Sequence, residues 1–169
     1  KLGILNFHPA PLPDLRGTGG FNLAILENHE NFGVTVHYMD EGIDTGPVIE
    51  VDRFSIDAKS ETAQSLEKKS HKRMVDLFKK TLTRVKKDGI LPSQKFTGGR
   101  HLSRNEMEEL KKIKPGDDID AKIRAFWFPP YDGAYVEIDG KSYTLVNRKI
   151  LEKLDGDAEA IFRHTQIGS

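Results

Sequence analysis

The sequence contains no cysteine, which excludes disulfides and thiolate metal sites and favours a cytoplasmic setting. No apolar run is long enough to span a bilayer, so membrane insertion by a helix is not expected. Net charge is absent too: 26 basic and 26 acidic residues cancel, and nothing global points to nucleic acid or an anionic surface as partner. The six histidines, His8, His29, His37, His71, His101 and His164, are scattered without the spacing of a zinc or iron motif, so no metal is expected. No glycine-rich phosphate loop follows a strand, and no serine sits in a nucleophile elbow, which disfavours covalent acyl transfer through serine. Internal repeats and low-complexity tracts are also missing. What remains is a polar-surfaced globular chain of 169 residues, 37% hydrophobic, enough for one domain or one domain with a small appendage.

The informative stretch is Leu5-Asn6-Phe7-His8-Pro9-Ala10-Pro11-Leu12-Pro13. It begins as an apolar strand over residues 2–7 and ends in a proline-locked loop. Residues two apart on a strand share a face, so Asn6 and His8 project together at its carboxyl end, where open α/β sheets place ligands. The prolines fix φ and remove donors, making a rigid platform for one amide and one imidazole. The chain starts at Lys1 with little length ahead of this strand, and further residues are expected upstream.

Beyond the platform, Asp14 to Gly17 reads as a turn, and Thr18 as the N-cap of a helix over 21–28. Residues 33–39 alternate, with Val34, Val36 and Tyr38 on one face. The loop Asp40-Glu41-Gly42-Ile43-Asp44-Thr45-Gly46 leads through Pro47 into a strand over 48–54, an antiparallel neighbour of the preceding one. The longest helix is expected over 60–88, capped by Ser60 and stopped at Gly89, its outer face rich in lysine and read as a solvated surface. Residues 91–100 read as a loop with a short extended piece. A capping box at Ser103-Arg104-Asn105-Glu106 opens a helix to about Ile113, and Asp117 or Asp118 caps another to about Phe126. Pro129 to Gly133 is a rigid turn, a hairpin follows about Asp139-Gly140, and the last twenty residues are loosely patterned.

Asn6, His8 and Asp44 form the candidate catalytic set. An imidazole takes a proton from an attacking amine, an amide N–H stabilises a developing oxyanion, and a carboxylate orients the imidazole or relays a proton. The run from Asn6 to Pro13, then Arg16-Gly17, then Asp40 to Gly46, resembles the 10-formyltetrahydrofolate-dependent formyltransferases. That family includes methionyl-tRNA formyltransferase, glycinamide ribonucleotide formyltransferase and the sugar N-formyltransferases. The resemblance implies an α/β, partial Rossmann-like formyltransferase fold with a small C-terminal helix and β-hairpin appendage. It divides the chain into residues 1–115, the C-terminal half of a catalytic domain, and residues 116–169, a small subdomain. It also implies 10-formyltetrahydrofolate as formyl donor, with Asp40, Glu41, Gly42 and Ile43 near the pterin. Family members carry about half a domain ahead of the Asn-x-His strand, and a sheet lacking it would favour self-association as a homo-oligomer and leave activity in doubt.

Too few residues follow residue 116 for the barrel of a methionyl-tRNA formyltransferase. Ile123 to Ala134 and the hairpin look instead like the tail of sugar N-formyltransferases, which implies a small-molecule amine on a nucleotide-linked sugar as acceptor. Arg16, Trp127 and Tyr131 are candidate substrate contacts, whereas Phe126 and Phe128 read as packing. Initiator methionyl-tRNA is the competing acceptor, weakened by the neutral charge. A non-catalytic binding or assembly module is the reading from a different class.

Overall fold

The computed structural model describes residues 3–154. In chain order they form β1 (Leu5–His8), β2 (Leu15–Gly17), α1 (Gly20–Leu26), β3 (Asn31–Tyr38), β4 (Val48–Ser55), α2 (Ala63–Asp88), β5 (Arg100–Leu102), α3 (Arg104–Lys111), α4 (Ile119–Phe126), β6 (Tyr135–Ile138), β7 (Lys141–Thr144) and α5 (Arg148–Lys153). The mixture of sheet and helix is the expected α/β class. From residue 155 on, the loosely patterned tail lies outside the described residues.

The main sheet has the order β1-β3-β4, and both pairings are antiparallel. Strand alternation divides it into two unlike faces. Leu5, Phe7, Val34 and Val36 lie against Met74 and Leu77 of α2 in one apolar cluster, with the Phe7 ring edge-on to Phe78. The opposite face carries Asn6 and His8 beside their register partners His37 and Thr35. A fully buried hydroxyl on that face needs partners, and Thr35 finds two. It donates to the Ala10 carbonyl at 2.7 Å and accepts from the Leu12 amide at 3.0 Å. The proline loop is thereby pinned over the polar face.

α2 starts at Ala63 rather than Ser60, because Thr62 and Ser65 form a reciprocal capping box while the Ser60 hydroxyl donates to the Asp57 carbonyl. Gly89 ends it as expected. Its basic face is partly offset by acids: Glu50 pairs with Lys80 and Arg84, Glu61 with Lys69, and Asp52 lies 3.8 Å from Arg73. This fits a solvated surface better than a polyanion groove.

A second core joins Ala10, Leu15, Leu23, Phe32, Leu66 and Leu102, and a third joins Ile25 of α1 to Ala125, Phe126 and Ala134. Phe126, 3% exposed, is a packing residue, as expected. The box at Ser103 and Glu106 opens α3, and Asp118 caps α4 by accepting from the Ala121 amide. β6 and β7 close about Asp139-Gly140.

One pairing departs from expectation. Residues 15–17, read as a turn, are strand β2, which pairs in parallel with β5, at the end of the stretch read as a loop with a short extended piece. Thr18 does not cap α1, whose N-cap Gly19 has no side-chain bond; its hydroxyl and amide both reach the Leu102 carbonyl, at 3.4 and 3.3 Å. Three-residue strands carry too little alternation to announce themselves, and their partners are remote in sequence.

Candidate functional site

β1 delivers Asn6 and His8 to the polar face of the sheet, and the loop between β3 and β4 folds back to bring in Asp44. That loop is closed at its base by the Tyr38 amide donating to the Pro47 carbonyl at 2.9 Å. Asp40 braces it, accepting from the Gly42 amide at 3.1 Å and from the Thr45 hydroxyl at 2.6 Å. The hydroxyl, then the amide, hold the Asp40 carboxyl below its usual range.

Asp44 is the hub. Its Oδ2 accepts from the Gly17 amide of β2 at 3.0 Å and lies 3.4 Å from His8 Nδ1. Its Oδ1 lies 3.4 Å from Asn6 Nδ2 and 3.6 Å from His37 Nε2. The three expected side chains therefore converge, and a fourth, His37, joins them. Sequence reasoning passed over His37, although the alternation that places Val34, Val36 and Tyr38 on one face assigns His37 to the other. What was missing was the antiparallel pairing of β1 with β3, which sets His37 opposite Asn6.

The carbonyl oxygens nearby decide the tautomers, because they can only accept. His8 Nε2 is 3.1 Å from the Leu15 carbonyl, so it carries the proton and Nδ1 is left as the basic nitrogen, turned toward Asp44. His37 Nδ1 is 2.8 Å from the Tyr38 carbonyl and likewise carries the proton, which leaves Nε2 facing Asn6 Nδ2 at 3.1 Å.

Burial pulls the His8 pKa down, and the attraction of Asp44 and the Leu15 carbonyl does not restore it. His8 is therefore a neutral base at neutral pH. For His37 burial acts the same way but is outweighed by the Asp44 contact and the Tyr38 carbonyl, so its pKa is raised. Burial would raise the Asp44 pKa, yet the His37 contact, the charge on His8 and the Gly17 amide together lower it. The result is an anchored carboxylate beside a neutral imidazole with an amide donor in the same cluster. Such a set can deprotonate an amine as it attacks a carbonyl, stabilise the imidazolium that forms, and hold the carbonyl oxygen.

The other candidates are distributed around this centre. Asp40, Glu41, Gly42 and Ile43 are exposed on the loop that supplies Asp44, Ile43 at 66%. Arg16 lies on β2 between the two residues that hold His8 and Asp44. Its Nη2 donates to the Gly99 carbonyl at 3.3 Å, and its buried Nε has no hydrogen-bond partner among the described residues. A cleft of about 370 Å³ runs from Thr18, next to Gly17, across Phe21 and Met107 to Phe128 and Tyr131. Phe128 and Tyr131 are in ring contact at 5.8 Å, with Tyr131 70% exposed. Trp127 is half-buried and does not line this cleft. Among the described residues no group of three or more His, Asp or Glu side chains is placed to hold a metal ion, and no helix is long and apolar enough to cross a membrane.

A family model described as formyl transferase matches residues 1–82. The chain is 31% identical over 157 residues to GDP-perosamine N-formyltransferase of Brucella melitensis, covering 91% of this chain and 60% of that protein. It is 32% identical over 142 residues to methionyl-tRNA formyltransferase of Parvibaculum lavamentivorans, covering 82% of this chain and 44% of that one. Among solved structures, an N-formyltransferase from Helicobacter canadensis in complex with folinic acid and dTDP-3-aminofucose superposes with a TM-score of 0.69 at 30% identity, over 81% of this chain and 51% of that one. The chain thus spans about half the length of the relatives it matches.

Proposed function

We propose that the chain is a formyl transferase and that it transfers a formyl group from 10-formyltetrahydrofolate to a primary amine carried on a nucleotide-linked amino sugar. The observation that carries this reading is the convergence of Asn6, His8 and Asp44 on one partly buried point. The amine nitrogen attacks the formyl carbon, and the Asn6 amide donates to the formyl oxygen as charge develops there. His8 Nδ1 takes the proton from the attacking nitrogen and returns it to the leaving nitrogen of the donor as that carbon–nitrogen bond breaks. Asp44 stabilises the transient imidazolium, whose second N–H remains on the Leu15 carbonyl.

The name of the Brucella relative and the ligands of the Helicobacter structure support a folate donor and a sugar-nucleotide acceptor. The exposed backbone of Asp40 to Ile43 borders Asp44 and would meet the pterin. The Arg16 Nε, without a partner among the described residues, would meet an anionic group of a ligand. Tyr131 and Phe128, with Trp127 outside their cleft, would take the flat part of the acceptor. Replacing Tyr131 or Phe128 by alanine is then expected to raise the acceptor KM about tenfold with kcat nearly unchanged, since stacking contributes ~1–3 kcal/mol. A loss confined to kcat would remove the cleft from acceptor binding.

Two other readings have support. The Parvibaculum relative favours initiator methionyl-tRNA as acceptor, against the balanced charge of the chain. A non-catalytic assembly module fits the edge of β1, which has no strand partner among the described residues, with Ile4 and Met39 exposed beside it. That edge also supports self-association. Incubating the chain with 10-formyltetrahydrofolate and a panel of amino-sugar nucleotides or charged initiator tRNA, and following tetrahydrofolate release and the mass of the acceptor, separates them. Turnover on tRNA alone would replace the acceptor proposed here. Absence of both turnover and folate binding, with a dimeric or larger mass in solution, would leave the assembly reading.

A further inference from the structure

We propose that His37 is a positioning residue that selects which end of the Asn6 amide faces the reacting centre. The inference rests on the formyl-transfer reading for its consequence, but its physical basis is local. The ring of His37 is anchored at one nitrogen, where Nδ1–H donates to the carbonyl of the neighbouring Tyr38 at 2.8 Å. Its other nitrogen is held against Asn6 Nδ2 at 3.1 Å by the register of β1 on β3. With the ring 2% exposed, water has little room to mediate between them.

A neutral ring offers a lone pair at Nε2, and Asn6 answers with an N–H. The second N–H of the same Nδ2 then points toward Asp44 Oδ1, at the long distance of 3.4 Å. A long contact of this kind is readily exchanged for an acceptor at closer range, such as the formyl oxygen as negative charge develops on it. Protonation of His37 reverses the demand at Nε2, which becomes a donor. Two donors at 3.1 Å repel, so the amide turns over, presents Oδ1 to the ring and swings Nδ2 out of the cluster. The groups that face His37 and bias its charge are Asp44 and Asp40 from the β3–β4 loop and His8 from β1. Asp44 and Asp40 favour the charged ring and His8 opposes it. His37 acts only through Asn6 and touches no reacting atom.

The test is a side-chain titration by NMR on the full chain, which needs no turnover. The Asn6 side-chain 15N–1H signals are expected to titrate with the midpoint of the His37 ring, and that step is expected to vanish in His37→Gln. Glutamine places a non-titrating acceptor, Oε1, close to the position of Nε2. A step at Asn6 that survives in His37→Gln overturns the proposal. In turnover, His37→Gln is expected to keep kcat within about tenfold and to lose the acidic limb contributed by His37, whereas His37→Phe loses kcat ~10²-fold with donor KM little changed. Equal losses in both variants with an unaltered pH profile also overturn it. Absence of turnover in the unsubstituted chain would defeat the formyl-transfer reading while leaving the titration to judge His37.

Discussion

Asp44→Asn is expected to lower formyl transfer by ~10²–10⁴-fold without unfolding the chain, which a steady-state assay and a thermal melt would establish together. The size of the effect follows from the number of groups that share this carboxylate. Asparagine keeps the shape and one acceptor oxygen, so a contact to the Gly17 amide can survive. It removes the charge that stabilises the His8 imidazolium as the proton leaves the attacking nitrogen. The pKa values of both His8 and His37 are expected to fall in this variant, because each now feels burial without the opposing carboxylate. Stability carries a matching signature. The Asp44 pKa is depressed in the folded chain, so its contribution is present above the unfolded carboxyl pKa of about 3.9 and is lost as pH falls through the lower folded value. The gap in melting temperature between the two proteins is therefore expected to close on acidification below about pH 4. A variant with near-normal kcat would take Asp44 out of the mechanism.

Gly99→Ala is expected to cost roughly 2–4 kcal/mol of stability and to abolish transfer with it. Gly99 has φ +80°, and a Cβ there would lie 1.6 Å from the Pro13 carbonyl oxygen. The backbone must move, and what moves is the approach to β5. β5 is the parallel partner of β2, and β2 supplies the Leu15 carbonyl that sets the His8 tautomer and the Gly17 amide that holds Asp44. Gly98 provides the control. Its φ is +85°, but nothing lies within 4 Å of an added Cβ. Gly98→Ala should show only the conformational penalty, about 1–2 kcal/mol, with transfer retained. Chemical denaturation and turnover measured on both variants check this, and similar losses from the two would refute the role given to β5.

Much of this site was legible in the sequence because its signals are local. Asn6 and His8 are two apart on a strand, the prolines that follow admit few conformations, and Asp44 sits in a loop rich in turn residues. The helices announced themselves through side-chain chemistry at their ends, as at Ser103 with Glu106 and at Asp118. Errors arose where a residue had two possible employers. Thr18 and Ser60 both look like caps, but their hydroxyls bond to the carbonyls of Leu102 and Asp57. His37 and the β2–β5 pair were hidden for another reason. Each depends on which remote segments lie side by side, and neither three residues of strand nor one histidine on an apolar strand encodes its partner.

The β2–β5 pair also bears on where this molecule can be divided. Every side chain of the proposed catalytic cluster falls within residues 1–82, the part recognised by the family model. The peptide groups that hold His8 and Asp44 lie there as well, yet the strand they lean on is at residues 100–102. A polypeptide trimmed to the recognisable portion would retain the reactive groups and lose their brace, together with residues 83–88 of α2. Sequence kinship and mechanical integrity have different borders in this protein, and the second lies farther along the chain.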